Sequence, residues 1–379
     1  MNIPKLVYLV SDVTVANKFG LDQISYLKHA GVDVVLVCGP GVLNQKLSDN
    51  CMSVNQVEFL QRNISLINDL KCILYLSKLF RSMRPTGIMY ATPKASLIGA
   101  IVGYITGIEI RIYQILGARW QTLTGMHGAM IKFFDRFTVS LSTDLIGVSN
   151  SIASLYMTNF QKSVVVLGKG SAIGVDRTVF NTSHLANKVI NANILIGYAG
   201  RIAKDKGIDE LITILDHVRI SYPNVKLEII GDFDESDPIS SRTENFLKNC
   251  QYIHIYSHMD REQLSLKMSS WNLHVFPSFR EGLGNAIIEA GALGIPTIAW
   301  DIIGVCDAIP EYLHGFLIPS GHLELFKSKV IEYLSNQFNE NQSIILSQWV
   351  IKNYDKEIVL SLLSKHIKQL LVVERKHEL

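Results

Sequence analysis

Two carboxylates eight residues apart, Glu281 and Glu289, bracket a loop that carries Gly282 and Gly284. The stretch opens apolar at His274-Val275-Phe276, is cut by Pro277, and continues into good helix formers from Ala286 to Leu293. Gly294 ends that helix, Pro296 follows, and Thr297-Ile298-Ala299-Trp300 reads as the next buried strand. Strand, glycine loop, helix and strand make a βαβ unit of a parallel sheet. Its loop lies at the carboxyl end of a strand, where open α/β sheets bind ligands. Amides bared by glycine at a helix start suit a phosphate, which marks Gly282, Leu283, Gly284 and Asn285 as binding candidates. A carboxylate beside such amides makes sense where it faces a sugar hydroxyl or a developing cation. Glu289, a little over one turn into the helix, is placed to reach a ribose diol. Read singly, Glu281 serves equally as a first-turn dipole partner and Glu289 as a solvated helix residue.

A second cluster lies upstream. The segment GYAGRIAKDKG, Gly197 to Gly207, follows an apolar strand from Ile194 to Tyr198. It sets Arg201, Lys204 and Lys206 at the strand end, before a helix from Asp209 to Tyr222. Arginine offers a bidentate fork and lysine a point charge, the pairing a polyphosphate takes. A solvated turn is the plainer alternative. The Glu281–Glu289 loop on the same sheet edge argues for a site.

Together these segments resemble one family. The stretch EGLGNAIIE, Glu281 to Glu289, looks like the Glu-x7-Glu element of retaining glycosyltransferases of the GT-B fold, family 4 type. Arg201 and Lys206 match that family's diphosphate clamp, and Gly174-Val175-Asp176 with Phe180 resembles its domain-junction motif. The matches fall between residues 165 and 310. The resemblance implies an α/β fold of two Rossmann-like domains facing across a cleft, with a C-terminal helix crossing back to the N-terminal domain. It implies transfer from a nucleotide-diphosphate sugar, a UDP-sugar, to a polyprenyl-diphosphate-linked or polysaccharide acceptor in surface-glycan assembly. Arg201 and Lys206 would stabilise the departing diphosphate, Glu281 would face the donor sugar, Glu289 would hold the ribose, and the turn at His258 would meet the nucleobase. No DxD element stands at a suitable loop, so neither metal nor other cofactor is expected. The chain departs from relatives at Gly304 and Asp307, where they often show Gly-Gly-x-Pro-Glu, and it lacks paired glycines after its first strand. A nucleotide-sugar epimerase of the same fold and a catalytically silent sugar-nucleotide-binding subunit are the alternatives.

The elements that must hold these residues fill a chain of 379 residues, enough for two or three domains. Alternating strands and helices divide it into an acceptor-binding domain over 1–170, a linker over 171–190, a nucleotide-sugar domain over 191–345 and crossover helices over 346–379. The opening βαβ, with strands Lys5–Val10 and Val32–Cys38, has no GxGxxG. A strand is expected around Val57 and an amphipathic helix from Ile64 to Met83, with Ile67, Leu70, Ile73, Leu74 and Leu79 on its apolar face. Lys94 opens the helix after Thr92-Pro93 and could meet an acceptor phosphate, or be an exposed lysine. The loop with Gly117, Arg119, Trp120 and Gln121 is the family's acceptor position; it has no histidine, which leaves Arg119 first and His127 second as contacts. Residues 344 to 373 read as helical.

Composition narrows the partners. Residues 1–190 hold 18 Lys+Arg against 10 Asp+Glu, and residues 191–379 hold 18 against 24, so +8 and −6 give the net +2. The basic half, with the aromatic segment MIKFFDRF at Met130 to Phe137, suits peripheral contact with an anionic membrane, though a packed helix edge reads the same way. No nucleic-acid partner is expected. The longest apolar candidate, Ala95 to Ile108, is interrupted by glycine and reads as a buried helix rather than a span. Five scattered cysteines without CxxC spacing, and no evident signal peptide at Met1, fit a cytoplasmic protein at the inner face of the membrane.

Overall fold

The computed structural model describes residues 3–61, 65–183 and 194–373. Two compact units divide the chain: Met1–Gly174 with Glu357–Leu379, and Val175–Lys356. Each is built on a wholly parallel sheet.

The first sheet holds seven strands in the order β3-β2-β1-β4-β5-β6-β7. They are β1 (Lys5–Val10), β2 (Asp33–Cys38), β3 (Ser53–Gln56), β4 (Gly87–Tyr90), β5 (Ile110–Ile115), β6 (Asp144–Gly147) and β7 (Val165–Val166). The central strands are apolar on both faces, as a sheet covered by helices on both sides requires. Among its helices are α1 (Leu21–His29), α2 (Leu66–Met83), α3 (Pro93–Ile105) and α4 (Gly125–Leu141).

The second sheet holds six strands in the order β10-β9-β8-β11-β12-β13. These are β8 (Leu195–Ala199), β9 (Lys226–Ile230), β10 (Ile253–Tyr256), β11 (Leu273–Phe276), β12 (Thr297–Asp301) and β13 (Leu317–Pro319). Helix α5 (Ile208–Ser221) follows β8 and α6 (Asn285–Ala292) follows β11.

The last helix, α7 (Lys356–Val373), returns to the first unit. Leu360, Leu363, Ile367 and Leu371 form its buried row, and Gly87 at the start of β4 lies under Leu371. The helical stretch expected over residues 344 to 373 is broken at Asp355. There Val175 pairs with Asp355 as a β-bridge, and Val175 N–H bonds to the Tyr354 carbonyl at 2.7 Å. The Lys356 ammonium meets Asp176 at 3.3 Å, and Arg177 meets Asp355 at 3.3 Å. The motif Gly174-Val175-Asp176 thus ties together the two points at which the chain passes from one unit to the other.

Two sequence expectations need correction. The strand sought around Val57 is Ser53–Gln56, a polar edge strand whose pattern hides it, while Val57 is a buried anchor just past its end. Helix α2 turns Cys72, Leu76, Ser77 and Phe80 inward and leaves Ile67, Leu70 and Leu74 exposed. The start expected at Ile64 lies outside the described residues, as does the linker beyond residue 183. No helix among the described residues is long and apolar enough to cross a membrane.

Candidate active site

In the second sheet, the chain runs outward in one direction from β8 to β9 and β10, and in the other from β11 to β12 and β13. The order reverses between β8 and β11, and at such a switch point the two flanking loops part and leave room for a ligand. Those loops carry Arg201 to Lys206 and Ser278 to Asn285.

Lys206 is the centre. It is 8% exposed, too buried for an unpaired ammonium. Its Nζ donates to Glu281 Oε1 at 2.7 Å and to the Arg280 carbonyl at 2.8 Å, with the Ser278 hydroxyl at 3.4 Å. Ser278, wholly buried, donates to the same Glu281 Oε1 at 2.9 Å. The sequence separates Lys206 from Glu281 by 75 residues, and the switch point brings them into contact.

Glycine makes that closeness possible. Gly207 stands at φ +69°, and a Cβ there would lie 2.0 Å from the Pro277 carbonyl oxygen. Any side chain would push the two loops apart. Gly304, at φ +85° in the loop after β12, does the same on the other flank: a Cβ would come within 2.5 Å of the Gly282 carbonyl oxygen. The single glycine kept where relatives often show two therefore buttresses the backbone of the Glu281 loop.

Arg201 projects from the end of β8 and is 47% exposed. It is ion-paired to Asp234 in the loop after β9 and lies 3.5 Å from Asp205. Burial works against its charge, but Asp205 and Asp234 outweigh that and hold the guanidinium above its ordinary value. Burial also opposes the Asp234 charge; hydrogen bonds from the Ser236 hydroxyl and amide, then from Arg201, overcome it and bring the carboxyl down to about 2. Arg280 donates to Asp205 at 2.5 Å. Three cations, Arg201, Lys206 and Arg280, thus face three carboxylates, Asp205, Asp234 and Glu281, along one sheet edge. Arg280, Asp205 and Asp234 escaped the sequence reading, although Arg280 directly precedes Glu281 and was a visible third cation.

The remaining second-unit candidates lie along the same edge. Gly284, at φ +78°, caps α6, whose first residue is Asn285, and Leu283 is buried beneath. Glu289 is half-buried on α6. His258 is exposed in the loop after β10, and its N–H meets Asp232 at 3.2 Å. Among the described residues no three His, Cys, Asp or Glu side chains converge as a metal site.

In the first unit the candidates stand on different elements. Lys94 is neither exposed nor directed at open solvent: it is ion-paired to Asp69 of α2 at 2.5 Å. Arg119 is exposed in a short 3-10 turn after β5, and His127 is exposed on the first turn of α4. The sequence reading missed Asp135, the residue that holds that turn. Its carboxylate accepts from Trp120 Nε1 at 2.7 Å, Tyr156 at 2.6 Å and Tyr113 at 2.9 Å. Burial raises its pKa despite those three donors.

The chain is similar to known proteins. A family profile described as "Glycosyl transferases group 1" matches residues 182–347, the span that holds the three cations and three carboxylates. The capsular polysaccharide biosynthesis glycosyltransferase CapM of Staphylococcus aureus is 31% identical over 335 residues, 86% of this chain and 87% of that protein. The UDP-Gal:alpha-D-GlcNAc-diphosphoundecaprenol alpha-1,3-galactosyltransferase of Escherichia coli is 23% identical over 378 residues, 93% of this chain and 94% of its own. Among solved structures, sucrose-phosphate synthase of Thermosynechococcus elongatus superposes with a TM-score of 0.79 at 16% identity, over 98% of this chain and 100% of that one. HepE of Anabaena, solved with UDP and glucose, superposes with a TM-score of 0.74 at 16% identity, over 97% and 100%. With a relative this similar along nearly its whole length, and with both parallel-sheet units matched by solved GT-B enzymes, the chain belongs to the group 1 glycosyltransferases.

Proposed function

We propose that this glycosyltransferase moves a sugar from a UDP-sugar to a lipid-linked or polysaccharide acceptor in surface-glycan assembly, with retention of configuration and without a metal. The observation that carries the reading is the buried Lys206 ammonium at the switch point, in contact with Glu281 and in the same loop as Arg201. Buried cations placed where a leaving group gains charge stabilise the transition state more than the bound donor. Lys206 and Arg201 take the charge of the departing diphosphate, with the Gly282–Asn285 amides beside them. Lys206 and Ser278 both meet Glu281 Oε1, which leaves Oε2 for the donor sugar. Glu289 holds the ribose and the His258 turn meets the base. The acceptor hydroxyl attacks the anomeric carbon as its bond to the diphosphate oxygen breaks, and the proton passes to that oxygen. Arg119 is the acceptor contact, with His127 second; Lys94 serves only if it leaves Asp69.

The names of relatives support the donor and acceptor classes. One is a capsular polysaccharide enzyme, another is named for UDP-Gal and a diphosphoundecaprenol-linked acceptor, and a third was solved with UDP and glucose.

Purified protein offered a panel of UDP-sugars and polyprenyl-diphosphate-linked sugars tests the whole reading. Transfer in the presence of EDTA, with the donor's anomeric configuration kept in the product, is expected. Loss in EDTA that Mn²⁺ restores removes the metal-independent part, and donor binding without turnover favours a silent subunit. Kinetics separate the glutamates: Glu281→Gln lowers kcat, because its charge acts as positive charge develops, whereas Glu289→Gln raises donor KM.

A further inference from the structure

Exposed apolar side chains in the second unit, such as Ile220 and Leu266, stand singly, which is ordinary. In the first unit they form rows. On α2, Leu66, Ile67, Leu70 and Leu74 face outward, with Leu70 58% and Leu74 63% exposed. On α4, Met126, Met130, Phe133 and Phe137 do so, with Met126 88% and Phe133 63% exposed. Ile67, Leu70 and Leu74, and the four residues of α4, recur at three- and four-residue steps, so each set is one stripe along its helix, with Leu66 beside the start of the first.

The two stripes belong to one surface. The crossovers β3 to β4, β4 to β5 and β5 to β6 all step in the same direction across the sheet, and right-handed connections place their helices on the same face. Helix α3 packs against both α2 and α4 and lies between them. Helices in such units begin at the carboxyl edge of the strands, so both stripes start at the edge where Arg119 stands. Lys71, Lys78 and Arg81 are exposed on α2 and Arg136 on α4. Neither helix exposes a carboxylate: Asp69 is paired with Lys94, and Asp135 is taken by its three donors.

The geometry points to a membrane-docking surface: the outward faces of α2 and α4 lie together on an anionic phospholipid layer, apolar rows at the acyl boundary and basic residues among the headgroups. Apolar rows ringed by Lys and Arg are the make-up of helices that lie in a membrane interface. Charge selects this occupant over a second copy of the chain, since a two-fold contact through this face would set its basic residues against themselves. The surface extends beyond the aromatic segment at Met130 to Phe137, because α2 contributes half of it.

Vesicle sedimentation of the intact chain tests this with no donor or acceptor present, so failure here leaves the proposed transfer standing. The protein is expected to bind vesicles of phosphatidylcholine with phosphatidylglycerol, to bind pure phosphatidylcholine vesicles weakly, and to lose affinity as salt rises. Leu70→Glu with Leu74→Glu, and separately Met130→Glu with Phe133→Glu, are each expected to weaken binding tenfold or more. Their melting temperatures should change little, because the side chains are already partly in water. Phe133→Trp supplies a direct probe whose emission shifts to the blue on anionic vesicles. Wild-type affinity in both double variants, or unchanged Trp emission, overturns the proposal. So does a wild-type dimer that the glutamate variants convert to monomer, which makes the face a self-association surface.

Discussion

The two sheets have the same parallel architecture, and their carboxyl edges carry different chemistry. At the second sheet's switch point, between β8 and β11, the loops are charged, touch through glycine, and hold Lys206 against Glu281. At the first sheet's switch point, between β1 and β4, the corresponding loops meet through two hydroxyls, Ser11 and Thr92, 2.8 Å apart and buried. Lys94, two residues past Thr92, is bound to Asp69. The topology offers a ligand site in both places, and the side chains decide what each can do. A dense, buried charge cluster suits a group whose charge changes during reaction. A hydroxyl-lined edge whose nearby Lys94 is already paired suits a site that shapes a hydroxyl group without stabilising a change of charge.

Removing charge from each edge tests that contrast most strongly. Lys206→Ala is expected to lower kcat by a factor of order 100 or more, as loss of other groups that stabilise leaving charge does. Arg201→Ala follows with a smaller loss, since the guanidinium is about half exposed and solvent replaces part of its work. Lys94→Ala is expected to leave kcat within a few fold. A Lys94→Ala defect equal to that of Lys206→Ala, in single-turnover rates at saturating donor, would break the contrast.

Glycine tests the same edge through its backbone. Gly207→Ala puts a left-handed residue, at about 1–2 kcal/mol, on top of a clash with the Pro277 carbonyl. A stability loss of about 2 kcal/mol or more by denaturant titration is expected, with lower kcat because the loops carrying Lys206 and Glu281 part. Gly107→Ala in the first unit has the same sign of φ, +73°, and no atom within 4 Å of its Cβ. It isolates the strain from the clash and is expected to cost about half as much.

The first unit has its own buried charge, and it acts on a loop rather than on chemistry. Asp135→Ala leaves the Trp120 indole and the Tyr113 and Tyr156 hydroxyls short of an acceptor, and is expected to cost about 2–3 kcal/mol of stability. Acceptor KM should rise as the Arg119 turn loosens while donor KM stays. Burial raises the Asp135 pKa in the folded chain. The folded state therefore holds more protons than the unfolded state between the two values, and stability falls as pH rises through the folded one. Asp135→Asn has no such loss, so wild type should gain on it as pH falls. The opposite trend in melting temperature would remove the linkage.

Much of this was legible in the residues, for reasons that differ between the two edges. Glu281, Glu289, Arg201 and Lys206 stand at fixed spacings beside glycines, and spacing along one βαβ unit translates directly into position on a sheet edge. Their partnership was less legible. Nothing local says that Lys206 meets Glu281 rather than a ligand, because contact across 75 residues depends on strand order. Periodicity found α2 but not which side was buried, since apolar residues occur on both faces and only packing against the sheet selects Cys72, Leu76 and Phe80. Asp135 was invisible for a related reason. In MIKFFDRF it reads as a surface charge on a basic helix, and its three donors come from β5, the turn at Trp120 and the helix containing Tyr156.

The smallest expected effect bears on how far the charged edge is prearranged for its ligand. Asp234 occupies Arg201, the guanidinium for which the proposed donor diphosphate would compete. Asp234→Asn keeps the hydrogen-bonding shape and removes the competing charge, so donor KM should fall. The size is bounded by exposure: Arg201 is 47% exposed, and pairs in contact with water contribute about 1 kcal/mol or less, a factor of about five at most. The effect should shrink as salt rises. It should not vary with pH near neutrality, because Ser236 and Arg201 keep the Asp234 carboxyl at about 2, ionised throughout that range. Donor KM for Asp234→Asn at low and high salt, with kcat measured alongside, decides the matter. A KM that rises instead means Asp234 orients Arg201 for the diphosphate rather than competing with it, and the second edge is then more finely set than its balance of charges implies.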